Sequence, residues 1–288
     1  MPLIPRRLLV ALLLTLSPLM AHAQDTLYFS AIPDEDETRL AERFGAVAAY
    51  LSAELGVPVA FVPVKSYPAA VTAFRNDQVQ LAWFGGLSGV QARLLVPDAR
   101  ALAQGIEDQE FVTYFIANTG TGLTDSDAFP EAARGMSFTF GAKTSTSGRL
   151  MPEYHIREET GEAPEEFFGR VGFSGDHSQT LRLVASGAWQ VGALNFAVYD
   201  DAVASGAPEV QSAKVIWRTP PYPDYNWTIR GDVDQRWGDG FADKVQAALV
   251  GMDDPDLLAA FPRTGFLPAD NAMYAPIEDV ARKLDLLE

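Results

Sequence analysis

From Thr26 onward, apolar residues recur at every second position over short runs and at every third or fourth over longer ones, and the two periods keep alternating to the end of the chain. Leu27 to Ile32 reads as a strand ended by Pro33-Asp34, and the helix that follows places Leu40, Phe44, Val47 and Leu51 on one face before Gly56 stops it near Leu55. Val57 to Val64 is a second strand, Pro68 to Asn76 a short helix and Val79 to Phe84 a third strand. Gly85-Gly86-Leu87-Ser88-Gly89 then turns into a helix reaching Leu95, followed by strand-like runs from Ala99 to Ile106 and from Phe111 to Asn118. Elements in the order βαβα predict a mostly parallel sheet with helices on both faces.

The stretch Thr119 to Ser126 (TGTGLTDS) interrupts this pattern, and the alternation then starts again. Helices are expected over 127–134, 147–159, 177–186 and 196–204, and strands over 136–140, 170–173, 190–194 and 214–217. Thr219 to Tyr225 (TPPYPDY) is an extended, semi-rigid connector. Beyond it lie a strand at 227–230 and helices at 238–251, 256–261 and 277–287, which belong with the first half. The expected organisation is therefore two doubly wound α/β lobes, residues 24–118 plus 224–288 and residues 119–223. Crossings near Asn118 and Pro223 would form a two-strand hinge beside a ligand cleft.

Residues 1–23 lie outside that scheme. Arg6 and Arg7 precede the apolar run Leu8 to Leu16, and Ala21-His22-Ala23 is a small-x-small cleavage site, so Gln24 is the expected mature N-terminus. The run is too short to span a bilayer, and with no Cys at the cleavage point a lipid anchor is not expected. The chain contains no Cys at all, so a core must hold it without disulfides. Its formal charge is -16, and losing Arg6 and Arg7 leaves 20 basic against 38 acidic residues, -18. That balance argues against nucleic acid and anionic membranes as partners. A local anion site remains compatible with it, because screening over about 8 Å at physiological salt uncouples distant surface carboxylates from buried dipoles.

Chemistry concentrates in Phe138 to Pro152, FTFGAKTSTSGRLMP, where a half-buried strand is broken by Gly141 and followed by four consecutive hydroxyl residues, Thr144 to Ser147. Each hydroxyl suits an N-cap, and the amides of a first helical turn have no partner within the helix. Together with the positive end of the helix dipole they make either an ordinary set of caps or a cradle for a small oxyanion. A second strand–Gly–helix turn, Val171 to His177, puts His177 in a first helical turn, where the imidazole is favoured neutral and can donate an N–H. Asn195 ends the run Ala193-Leu194-Asn195 at the same sheet edge, so Ser145, His177 and Asn195 are expected to converge outside the carboxyl ends of the strands. Asp34 to Glu37 reads as a solvated helix start, with the holding of a ligand amine as the alternative. No P-loop, GxGxxG or GxSxG occurs, and His155 and His177 are too few for an ordinary zinc site, so neither cofactor nor metal is expected.

The ordered segments KSYPAAVTAF, QLAWFGGLSG, STSGRLMPEY, VGFSGDHSQT, QVGALN and KVIWRTPPYPDYNW resemble the periplasmic binding proteins of ABC importers for phosphonate, phosphite and related oxyanions. The resemblance covers essentially the whole mature chain and implies a type II periplasmic-binding-protein fold. It implies that Ser145, Thr146 and Ser147 hold a tetrahedral head group, with His177, Tyr67 and Asp224 as further ligand contacts. Ser66 stands where the family often has Asp, Phe111 where a second aromatic hydroxyl is expected, and Phe196 or Ala197 where aminoalkyl-phosphonate binders carry an acid. The opening IPDEDETR and the GRLMPE extension resemble a branch labelled selenate- or selenite-type. The expected protein is thus a non-enzymatic, monomeric carrier that passes a small anionic ligand to an ABC permease. The competing readings are an exported hydrolase, with Ser145 or Ser147 as nucleophile and His177 as base, and a ligand-sensing subunit of the same fold.

Overall fold

The computed structural model describes residues 25–35, 37–259 and 261–287. The expected cleavage site and Gln24 lie outside the described residues, as does Asp36. Among the described residues, eleven strands form two sheets. The first contains β1 (Leu27–Ala31), β2 (Val59–Phe61), β3 (Leu81–Phe84), β4 (Arg100–Gly105), β10 (Asn226–Ile229) and β11 (Phe266–Pro268), in the order β11-β4-β10-β3-β1-β2. The second contains β5 (Thr113–Asn118), β6 (Ser137–Phe140), β7 (Arg170–Phe173), β8 (Val191–Asn195) and β9 (Ala213–Arg218), in the order β7-β6-β8-β5-β9.

Both sheets are mixed rather than mostly parallel. β10 runs antiparallel to β3 and β4, and β5 runs antiparallel to β8 and β9. The reason is topological: β5 and β10 are the first strands after each passage between lobes. A chain that arrives at the cleft, where the parallel strands end, must run back down the sheet, so Thr113 pairs with Asn195 and Asn226 with Phe84. The first lobe also ends earlier than expected. The strand Thr113–Asn118 pairs with β8 and β9 of the second sheet, so the crossing lies before Thr113 and not at Asn118. The Gly- and Thr-rich run from Thr119 is instead a loop inside the second lobe.

The two crossings form a short ribbon. Phe111 and Tyr222 exchange both backbone bonds, at 2.9 and 3.0 Å, and the Asp224 N–H donates to the Asp108 carbonyl at 3.0 Å. Asp108 in turn forms a buried two-pronged ion pair with Arg263, both bonds 2.7 Å long. The helix Glu37–Leu55 buries Leu40, Phe44, Val47 and Leu51 against the first sheet, as their spacing predicts. Each such side chain contributes about 1.5–3 kcal/mol on leaving water. In the second lobe β5 sends Phe115 and Ala117 into one apolar layer and Ile116 into the other, so helices cover both faces. The expected helix over 127–134 is reduced to one 3-10 turn, Glu131–Ala133, because Pro130 lacks an N–H and cannot continue a helix from Asp127.

Candidate functional site

The carboxyl ends of β1, β3, β6, β7 and β8 face one another across the cleft, and the predicted residues gather there. Tyr67, Ser145, Thr146, Ser147, His177, Asn195 and Asp224 are all at most 3% exposed. After β6 the backbone does not enter a regular α-helix. Thr146–Leu150 makes a wide π-type turn, with Leu150 N–H donating to the Ser145 carbonyl at 3.0 Å, and the α-helix runs from Met151 to Thr160. Pro152 in the first α-helical turn has no N–H to place in an ordinary bonding pattern there. Such single wide turns recur at functional sites. Ser145 is the cap: its Oγ accepts the Gly148 N–H at 2.9 Å. Gly148 itself is required, since a Cβ there would meet Ser145 Oγ at 3.0 Å, Gly141 Cα at 3.1 Å and His177 Cε1 at 3.2 Å.

The hydroxyls are poised as donors. Ser145 Oγ already accepts an N–H, which leaves its O–H to give, and Thr146 Oγ1 accepts the Leu87 N–H at 3.0 Å from the other lobe while its hydroxyl lies beside Asp224. Ser147 Oγ lies 3.5 Å from His177 Nε2. The other ring nitrogen, Nδ1, accepts the Asn195 N–H at 3.3 Å, so the proton of the neutral imidazole is assigned to Nε2, on the Ser147 side. Burial drives the His177 pKa down to about 3. Desolvation, more than the helix end, is the cause. A ring that is neutral, and protonated at the nitrogen nearest Ser147, donates a hydrogen bond there and does not receive a hydroxyl proton. The hydrolase reading therefore lacks its base.

The first lobe supplies the opposite wall. Gly85-Gly86-Leu87 follows β3 and starts the helix Gly86–Leu95, whose leading amides point away from it: Gly86 N–H donates to Asp224 Oδ1 in the crossing ribbon at 2.8 Å, and Leu87 N–H to Thr146 of the other lobe. Asp224 is fully buried, and burial raises its pKa to about 7 against the pull of the Gly86 N–H and the Thr146 hydroxyl. Its Oδ2 has no hydrogen-bond partner among the described residues. The Tyr67 hydroxyl, beside Ser145 but outside hydrogen-bond geometry, is likewise buried and unpartnered among them. Burial pushes its pKa well above the usual value, so it remains a donor.

Four participants, Asp34, Tyr225 and the amides of Gly86 and Leu87, are not legible as such in the sequence. Asp34 reads there as solvated, yet its side chain is enclosed, and burial with the Glu35 charge raises its pKa to about 7. Its Oδ2 accepts the Tyr225 hydroxyl at 2.7 Å, and its carbonyl accepts the His177 N–H at 3.1 Å. Tyr225 also accepts from Asn195 Nδ2 at 3.2 Å and stacks on Trp83, ring centres 5.4 Å apart. The Gly86 and Leu87 amides repeat the strand–Gly–helix turn that singles out Gly141, and that repetition is the available signal. Phe111, without a hydroxyl, is fully buried and packs on Phe196, Tyr222 and Tyr225. Among the described residues no cluster of three His, Cys, Asp or Glu is set to hold a metal ion, and no helix is long and apolar enough to cross a membrane.

Comparison with known proteins identifies the family of the chain. The family described as the periplasmic substrate-binding protein of phosphonate ABC transporters matches residues 29–274. The chain is 37% identical over 277 residues to the probable ABC transporter phosphite binding protein PhnD1 of Prochlorococcus marinus, covering 93% of each. It superposes on the structure of that protein in complex with methylphosphonate with a TM-score of 0.86, over 90% of this chain and 98% of the other. A binding-protein component of an ABC phosphonate transporter from Pseudomonas aeruginosa, 20% identical, shares the fold at a TM-score of 0.78, over 89% of this chain and 85% of the other. A family of transport binding proteins, not of enzymes, accounts for a buried set of donors without a base. The chain belongs to the phosphonate-binding family of periplasmic substrate-binding proteins that serve ABC transporters.

Proposed function

We propose that the protein captures a small tetrahedral oxyanion, phosphite or methylphosphonate in kind, between its lobes and delivers it to an ABC permease. The observation that carries this is the enclosure of the Ser145–Ser147 hydroxyls, the His177 Nε2–H and the Tyr67 hydroxyl in one buried cluster. Hydrogen bonds to a charged group contribute about 1.5–3 kcal/mol each. Four or five, less the cost of association and closure, reach about -8 kcal/mol, a dissociation constant near 1 μM. A small ligand fits this reading because the residues that would face the head group are almost completely buried. Phe196 and Ala197 stand where an amine would need an acid, and Asp34 is already engaged by Tyr225. In this reading Tyr67, Ser145, Thr146, Ser147, His177, Asn195 and Asp224 form the binding site, and the chain works as an exported monomer cleaved after Ala23 without a lipid anchor.

A thermal-shift panel of phosphite, methylphosphonate, phosphate, aminoethylphosphonate, sulfate, selenate and selenite tests it. A ligand at 100 times its dissociation constant stabilises by about 2.7 kcal/mol. Phosphite or methylphosphonate should give the largest shift. Stabilisation by none of the seven, or by selenate or selenite alone, contradicts the proposal.

A further inference from the structure

The cleft opens to solvent through a cavity of about 580 Å³ that both lobes line, Lys65 and Tyr67 from the first, Lys143, Phe173 and Arg182 from the second. Each cation sits close in sequence to a residue of the buried site: Lys65 to Tyr67, Lys143 to Ser145 and Arg182 to His177. All three are exposed. Phe173 is 40% exposed, uncommon for a large ring, and its position has a use: Lys143 Nζ lies 5.4 Å from its centre while the ring stacks on Phe140 at 5.6 Å. The ring is a platform that holds an ammonium at the mouth. Two acids also line the cavity, one capping a helix start and the other paired with a cation. Asp176 accepts the Gln179 N–H at 2.6 Å at a helix start, and Glu35 pairs with Arg43 at 2.8 Å.

We infer that this mouth is an encounter site for small oxyanions, a local cationic funnel that draws the ligand in past Tyr67 against the repulsion of a chain of charge -16. The inference rests on the oxyanion reading above. Its physical basis is range: over about 8 Å of screening, the mouth cations dominate an approaching anion while the distant acids do not. In a concave, low-dielectric cleft whose two acids are compensated by a helix start and by Arg43, the exposed cations Lys143 and Arg182 focus that field. The site and the funnel have separate duties. Buried donors set how long the ligand stays, and rim charges set how fast it arrives.

Stopped-flow fluorescence with methylphosphonate and with phosphite, at ionic strengths from about 10 to 500 mM, tests the sign of the effect. If the funnel governs, the association rate falls as salt rises; if the net charge governs, it rises. The double variant K143Q/R182Q should lose about tenfold in association rate at the lowest salt and reverse the sign of the salt slope. Its dissociation rate should change less than about twofold. The charge-matched variant R100Q/R134Q alters exposed arginines at or before the amino ends of β4 and β6, away from the cleft, and should behave as the parent does. An association rate that rises with salt in the parent, or equal losses in the two double variants, overturns the funnel while leaving the oxyanion site standing. Failure of both ligands to bind the parent would instead contradict the oxyanion reading and take the funnel with it.

Discussion

The backbone N–H of His177 donates to the carbonyl of Asp34 at 3.1 Å, a bond between the two lobes made at the ligand site itself. The Leu87 N–H to Thr146 Oγ1 bond is a second of the same kind, so the residues proposed to grip the ligand also hold the lobes together. Binding and closure should therefore be one event. Small-angle scattering should show a smaller radius of gyration with saturating methylphosphonate than without it. An unchanged radius at saturation would contradict coupled closure.

Gly148 leaves no room for a side chain, with Ser145 Oγ, Gly141 Cα and His177 Cε1 all within 3.2 Å of where a Cβ would sit. Gly148→Ala should push the Ser145 cap and the His177 ring apart, weakening binding by about tenfold or more, at a stability cost of about 1–3 kcal/mol typical of overpacking. Calorimetry paired with thermal unfolding checks both, and unaltered affinity in a folded variant would mean the turn tolerates displacement.

The pH dependence has two opposed parts. Asp34 and Asp224 have folded pKa values raised to about 7 by burial, so their stabilising contribution is complete below about 4 and is lost as pH rises through 7. His177 and His155 are lowered by burial to about 3 and 4, and act the other way: their contribution is present above about 6.5 and is lost as pH falls. A difference between variants separates the two. Asp224→Asn keeps an oxygen for the Gly86 N–H, so relative to the parent it should gain stability steadily from pH 4 to 7 and no further above. A flat difference across that range would show that Asp224 is not held protonated.

Much of this arrangement is legible in the sequence because periodicity and punctuation report on local geometry. Leu40, Phe44, Val47 and Leu51 are buried on one helix face as their spacing requires, and Ser145, Thr146, Ser147, His177 and Asn195 do meet at one sheet edge. What escapes are properties of assembly. A run such as Thr113–Asn118 looks the same on either side of a hinge, and only pairing with β8 and β9 assigns it to the second lobe. Asp34 looks like any acidic helix start until the closed cleft covers it and Tyr225 engages it. The wide turn at Thr146–Leu150 likewise depends on Gly148 packing against Gly141, a contact between segments that no local pattern encodes.

Joint action of the Ser145–Ser147 hydroxyls and His177 on one anionic head group is tested by titration calorimetry of methylphosphonate into the S145A/T146A variant. The variant removes two O–H donors, each contributing about 1.5–3 kcal/mol toward a charged partner, while loss of the Ser145 cap costs about 1 kcal/mol of a stability that the rest of the fold supports. The expected variant is a folded protein, verified by its unfolding transition, that binds at least about a hundredfold more weakly than the parent. A folded S145A/T146A protein that binds methylphosphonate as tightly as the parent would contradict that joint action.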